Sequence, residues 1–265
     1  RHAGGSGRGA ARGIDGFRVD GPAGRVRLHP DRPALHLQNR DRAIQAIFAY
    51  RRIDPIAPES DGPHARAFAR QSTMSVMNAA FIVFDGMTSL DFVGFYDPVT
   101  RLKSMKIIDD FEWRICAPAE RVVDDRGLRI QVDGVAEPLT SYDMVFVPGG
   151  FGTRALQHDR AFIDWLKSSA RVPLKVSVCT GALLLGAAGF LRQRRATTHP
   201  SAYTELEPYC QTVVPDRVVD EGDIITARGV SSAIDAGLHV VQRLAGVGAR
   251  DRVAAQMDYP YQWHV

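Results

Sequence analysis

Leu174-Lys175-Val176-Ser177-Val178-Cys179-Thr180-Gly181-Ala182-Leu183-Leu184-Leu185-Gly186 is the stretch that decides the fold. Residues 174–178 follow Pro173 and form a short apolar run rich in β-branched side chains, as a buried strand does. A single cysteine and a threonine separate it from Gly181, where a run of small and apolar residues begins that predicts a helix over 181–190. Strand, corner residue, helix is one unit of an open parallel sheet, and ligands of such sheets bind beyond the carboxyl ends of the strands. Cys179 occupies that corner, with Gly181 and Ala182 allowing a sharp turn beneath it. A thiol at a helix start faces unpaired N–H groups, which lowers its pKa and makes it nucleophilic. The competing reading is a small buried hydrophobe, the commonest fate of a free cysteine.

Outward from this unit the same alternation repeats. Residues 79–84 predict a first strand, closed by Asp85-Gly86, and a helix begins near Ser89. Residues 113–117 predict a second strand, 122–132 a β-excursion broken at Asp124-Asp125-Arg126-Gly127, and 144–147 a third core strand ending in Pro148-Gly149-Gly150-Phe151-Gly152. A helix over 162–170, strands at 196–198, 212–214 and 223–226, and a closing helix over 232–244 complete a doubly wound α/β domain with a mostly parallel sheet and helices on both faces, spanning about residues 78–258.

Residues 1–73 are a different population. They hold 13 of the 33 basic residues, all of them Arg, and only 7 of the 30 acidic ones. Gly and Pro are scattered through them, so few large apolar groups offset the entropy of ordering, and a disordered extension is expected. One short helix is predicted at 42–50, where apolar residues fall at helical spacing. Neither a transit peptide nor a nucleic-acid-binding arm is favoured: Asp and Pro run throughout, and aromatic interleaving is missing. Met74 or Met77 is the expected natural start. Cys116, Cys179 and Cys210 are an odd number without a C-x-x-C pair, which fits a reducing, cytoplasmic setting and gives no zinc motif. No apolar run is long enough to cross a membrane.

Three further groups are candidates for the site. The glycines of Pro148-Gly149-Gly150 end a core strand and allow backbone N–H groups to converge on an anion, although the spacing is not that of a dinucleotide-binding loop. Asp91, in Ser89-Leu90-Asp91-Phe92-Val93-Gly94, falls in the first turn of a helix, where the dipole alone favours a carboxylate. His199, in Thr197-Thr198-His199-Pro200, lies between a strand and a helix, and a lone histidine there is more often structural than catalytic.

Together, Leu90-Asp91-Phe92-Val93-Gly94, Val147-Pro148-Gly149-Gly150, Ser177-Val178-Cys179-Thr180-Gly181, Gly186-Ala187-Ala188-Gly189 and Ala196-Thr197-Thr198-His199-Pro200 resemble the DJ-1/PfpI superfamily. Within it, they are most similar to the isonitrile hydratase-like branch and to the amino-terminal domains of some AraC-type regulators. The resemblance implies a flavodoxin-like, class I glutamine amidotransferase-like fold and a homodimer that takes a small-molecule substrate without metal or organic cofactor. It also implies addition of water to an isonitrile, with Cys179 as nucleophile, Asp91 as acid, Thr180 hydrogen-bonding in the pocket, and the Gly150 and Thr180 amides steadying polar intermediates. Members acting as proteases or glyoxalases often carry His after the nucleophile; Thr180 stands there, so peptide hydrolysis is not expected. The regulators add a helix-turn-helix module not found in the residues up to Val265, so nucleic-acid binding is not expected either. Phe95 follows Gly94 where the hydratase pattern has Pro, and Phe95 and Tyr96 are expected to reshape the pocket or the dimer contact. A redox protein that oxidises Cys179 to a sulfinate, or a sensor that binds without turnover, remain alternatives.

Overall fold

The computed structural model describes residues 77–260. The expected extension over 1–73 with its short helix, and Met74 itself, lie outside the described residues. In chain order the strands are β1 (Met77–Ile82), β2 (Phe111–Ala117), β3 (Arg121–Val123), β4 (Arg129–Gln131), β5 (Gly134–Val135), β6 (Met144–Val147), β7 (Leu174–Val178), β8 (Arg195–Ala196), β9 (Thr212–Val213), β10 (Val218–Asp220) and β11 (Ile224–Ala227). The α-helices are α1 (Ser89–Ser104), α2 (Thr153–Leu156), α3 (Arg160–Lys167), α4 (Gly181–Ala187), α5 (Tyr203–Leu206), α6 (Ser232–Ala245) and α7 (Val247–Gln256).

Seven strands make one sheet in the order β10-β11-β7-β6-β1-β2-β5, parallel throughout except for β10 against β11. This is the expected doubly wound α/β architecture. β6 and β7 are buried along their whole length, which is why they read as unbroken apolar runs. The chain leaves β1 for β2 and β5 on one side and returns to β6 on the other, so the switch point lies between β1 and β6. The loops after β1, β6 and β7 therefore converge at one end of the sheet.

Helices α1, α6 and α7 pack together, and α2, α3 and α4 form a second group. The α1–α6 contact needs glycine on both sides: a Cβ on Gly94 would lie 2.9 Å from Ala233 Cβ, and one on Gly237 would lie 2.4 Å from Pro98 Cγ. Phe95 is fully buried and stacks on Phe146 at 4.0 Å between ring centroids, while Tyr96 packs edge-on to Phe81 and its hydroxyl accepts from Trp113 Nε1 at 3.0 Å. Phe95 thus belongs to the core, against the expectation that it shapes the pocket or a dimer contact.

Several boundaries shift by two or three residues, β1 and α3 among them, and two differ for a visible reason. α4 ends at Ala187, not near Phe190, because Gly189 takes φ +87° and the Phe190 N–H turns back to Leu185 O at 3.0 Å. The strand expected at 196–198 keeps only Ala196, since Thr197 and Thr198 are buried and bonded elsewhere: the Thr197 N–H donates to Thr226 Oγ1 at 2.9 Å, and Thr198 Oγ1 donates to Cys179 O at 2.8 Å.

Candidate active site

Cys179 follows the last residue of β7 and takes φ +57°, the left-handed region that a residue with a side chain occupies only when its surroundings hold it there. Its N–H donates to Ala227 O at 2.9 Å and Arg228 O at 2.7 Å, and its carbonyl accepts from Thr198. Beneath it, Gly181 leaves no room for a side chain: a Cβ there would lie 2.3 Å from Val147 O and 2.7 Å from Pro148 O. The corner read from the sequence is a strained strand-to-helix elbow with Cys179 at its bend.

Asp91, in the first turn of α1, is completely buried. Its Oδ2 accepts from the Gly149 N–H at 3.0 Å, and its carboxyl faces the Cys179 thiol. Gly149 is where the three meet, because a Cβ on it would lie 2.6 Å from Thr180 N, 2.7 Å from Cys179 Cβ and 2.8 Å from Asp91 Oδ2. The structure therefore joins Asp91, Gly149 and Cys179, which are far apart in sequence.

Electrostatics correct one expectation. Burial pushes the Asp91 carboxyl up to about 7, against the pull of the Gly149 N–H and the Cys179 thiol. Burial, reinforced by the Asp91 charge, pushes the Cys179 thiol up to about 12, although the Thr180 N–H draws it down. The helix start does not by itself lower this thiol, because the desolvation of a buried sulfur beside a carboxylate outweighs it. Protonation of Asp91 removes the charge that reinforces the rise, so the ionisation of the two groups is coupled.

The Gly150 amide is engaged elsewhere than its expected role requires. The Gly150 N–H donates to Thr180 Oγ1 at 3.0 Å, and Thr153 Oγ1 lies 2.8 Å from Gly150 O and 3.0 Å from Thr180 Oγ1. These groups form a buried knot that ties the glycine loop to the elbow, and the Gly150 amide is not available to an intermediate. The Thr180 amide is the one that faces the sulfur. Thr153 was not anticipated; its place just after Gly149-Gly150-Phe151-Gly152, opening a helix, was the signal available.

The β3–β4 hairpin is a second unanticipated support. Ser89 Oγ donates to Asp124 Oδ2 at 2.5 Å, Thr88 Oγ1 donates to Asp125 Oδ2 at 2.9 Å, and the Asp125 N–H donates to Met87 O at 2.9 Å. These bonds fix the start of α1, and with it Asp91. His199 adjoins the elbow through Thr198 and caps the following turn, its Nδ1 accepting from the Ser201 N–H at 3.2 Å. It also lines a cleft of about 490 Å³, together with Leu90, Arg217, Arg228 and Ser232 among others. Cys116 is buried, 3.5 Å from Tyr142 Oη, and Cys210 is half-buried with its Sγ 3.6 Å from Leu206 O. Among the described residues, no group of three potential ligands is placed to hold a metal, and no helix is long and apolar enough to cross a membrane.

A curated relative, isonitrile hydratase of Pseudomonas putida, is 35% identical over 69% of this chain and 78% of its own length. Protein DJ-1alpha of Drosophila melanogaster is 29% identical over 70% of this chain and 85% of its own. The HTH-type transcriptional regulator CdhR of Pseudomonas aeruginosa is 29% identical over 66% of this chain, which spans only 53% of that protein. Among solved structures, a ThiJ/PfpI family protein from Pseudomonas syringae superposes with a TM-score of 0.65 at 27% identity, over 80% of this chain and 85% of that one. The sequence profile of the DJ-1/PfpI family matches residues 77–243, from the first residue of β1 into α6 and across the elbow, the glycine loop and Asp91, and the chain belongs to that family.

Proposed function

We propose that the protein adds water to an isonitrile, R–N≡C, to give the formamide R–NH–CHO, with Cys179 as nucleophile and Asp91 as proton carrier. The observation that carries this reading is the buried Asp91–Cys179 pair, two acids pressed together so that one holds a proton while the other can be an anion. The terminal carbon of an isonitrile needs a soft nucleophile and then a proton, and the pair supplies both. Thiolate attack forms the S–C bond, and the Asp91 proton goes to that carbon, leaving a thioimidate Cys179–S–CH=N–R and an Asp91 carboxylate. Water then adds its oxygen to the carbon, one of its protons reaching nitrogen. Collapse expels the thiolate and returns the hydroxyl proton to Asp91, so the enzyme ends as it began. The Thr180 N–H faces the sulfur and steadies its charge as it leaves.

Incubation with a simple isonitrile and detection of the formamide by mass spectrometry tests the reading. The native protein is expected to form it, and Cys179→Ser is expected not to. Absence of formamide, with peroxide converting Cys179 to a sulfinate, would move the function to the redox alternative; binding of a small molecule without turnover would move it to the sensor. We also propose that the protein works as a cytoplasmic homodimer. Phe151 at 79% exposure and Val93 at 47% are large apolar groups, close in sequence to Gly150 and Asp91, that a second copy would cover.

A further inference from the structure

The cleft beside the elbow offers hydrogen-bond donors and no acid. Its walls come from the neighbours of the reacting groups: Leu90 precedes Asp91, His199 follows the Thr198 that holds the Cys179 carbonyl, and Arg228 holds the Cys179 N–H through its own carbonyl. About 490 Å³ is room for a small organic molecule. None of its lining residues is Asp or Glu. Arg217 is already neutralised, since its guanidinium bonds the Asp235 carboxylate at 2.7 Å through Nε. Arg228 is not: its Nη1 donates to Pro215 O at 3.0 Å, and no carboxylate lies within ion-pair distance of it among the described residues.

Two neutral donors complete the set. His199 Nδ1 lies 3.2 Å from the Ser201 N–H and 2.8 Å from the Ser201 hydroxyl; with Nδ1 accepting from both, the proton of a neutral ring is assigned to Nε2, and the ring packs against Gly229 of the cleft wall. Ser232 lines the cleft at the start of α6; it is 1% exposed, and its hydroxyl has no hydrogen-bond partner among the described residues. A buried hydroxyl without a partner is costly unless a ligand completes it. A guanidinium without a counter-ion, a ring N–H and an orphaned hydroxyl lining one cleft match a planar anion, which arginine binds through paired N–H groups.

From these groups we infer that the cleft binds a carboxylate on the substrate, so that the isonitriles accepted are isocyano acids; this builds on the hydration reading above. Leu90, which lines the cleft and precedes Asp91 in α1, is the apolar residue against which the carbon skeleton between carboxylate and isonitrile would lie.

The test compares isocyanoacetate with its methyl ester, which keeps the isonitrile and removes the charge. With the full-length protein, kcat/KM for the acid is expected to exceed that for the ester by about tenfold or more, as loss of a charge-assisted pair implies. In Arg228→Gln that ratio is expected to fall toward one, and in Arg228→Lys, which keeps the charge, part of it is expected to remain. Equal kcat/KM for acid and ester, or a preference undiminished in Arg228→Gln, overturns the assignment. A binding arm separates it from the hydration reading: N-formylglycine is titrated calorimetrically into Cys179→Ser and into Cys179→Ser with Arg228→Gln. Binding that the second change weakens by about tenfold supports the carboxylate site even if neither isonitrile is consumed. Absence of binding to the folded Cys179→Ser protein overturns it even if the ester is hydrated.

Discussion

Asp91 and Cys179 are expected to set the pH dependence of the proposed reaction and of stability, and the two consequences have opposite signs. With Asp91 near 7 and the thiol near 12, the pair carries both protons in acid and one across the neutral and mildly alkaline range. Only the singly protonated pair can present a thiolate and a proton together, so kcat/KM is expected to rise through about pH 7 and then level. Asp91→Asn should abolish that inflection and lower kcat/KM by about a hundredfold or more, because the proton carrier is gone. A flat profile in the native protein would remove the pair from the mechanism. Stability runs the other way. A carboxyl raised from 3.8 to about 7 by folding contributes its full stabilisation below its unfolded value and loses it as pH climbs to the folded one. A shift of about three units corresponds to at most about 4 kcal/mol. Urea unfolding at pH 5 and pH 8 is therefore expected to show Asp91→Asn gaining on the native protein at the higher pH. Gly149 gives a separate test of the same contact. Gly149→Ala would drive a methyl group into Thr180 N, Cys179 Cβ and Asp91 Oδ2 at once, none of which is a flexible chain end. Overpacking of this kind costs about 1–3 kcal/mol, and because the displaced atoms carry or adjoin the groups proposed to react, turnover should fall further than stability does. Retention of most of the native kcat/KM would show that the elbow tolerates movement.

The β3–β4 hairpin carries little of the core, yet it decides where α1 begins. Asp124 accepts from Ser89 Oγ, from the Arg126 N–H at 2.8 Å and from the Leu128 N–H at 2.7 Å, so one carboxylate closes the turn and anchors the helix start. The Ser89 hydroxyl, followed by the turn amides, holds its pKa below the usual carboxylate value. Asp124→Ala releases all three partners, and misplacement of Asp91 by a fraction of an ångström is expected to lower kcat/KM by about tenfold with a small change in melting temperature. Asp124→Asn, which keeps an acceptor toward the amides, should fall between. A melting temperature that drops while the rate is unaffected would make the hairpin a stabilising element only. The sequence marked the turn at residues 124–127 but not its purpose, since the contact spans 35 residues between Ser89 and Asp124 and no local pattern records it. The Thr153–Thr180 knot was hidden for the same reason, joining residues 27 apart. Cys179 was legible because a strand turning directly into a helix is a local signal. The height of its pKa was not, because burial is set by the whole fold.

Taken as a whole, the molecule was legible wherever burial leaves a local trace. β6 and β7 are covered on both faces and so read as strands at their observed positions. β5, β10 and α7 left none: β5 is two residues borrowed against Cys116 and Ala117, β10 is an edge strand, and α7 buries only Ala249 and Val253. The same logic locates the minimal folding unit. β1 lies between β2 and β6 and pairs with both, its residues 79–82 are fully buried, and the main cluster of buried apolar side chains among the described residues runs from Ala79 to Val253. The chain edge is also tied by the Met77 N–H to Asp110 O at 3.0 Å and the Asn78 N–H to Asp143 Oδ2 at 2.8 Å. A chain beginning at Met74 retains all of these groups, and its unfolding free energy is expected to match that of the full chain within about 1 kcal/mol. A chain beginning at Asp85 loses β1, leaving the facing edges of β2 and β6 without partners and opening the core around Phe81, and it is expected not to fold. Parallel denaturation of the three proteins checks both limits. A shorter chain from Met74 that aggregates or melts far below the full protein would assign residues 1–73 a structural part, whereas equal melting with intact turnover would confine both fold and chemistry to residues 74–265.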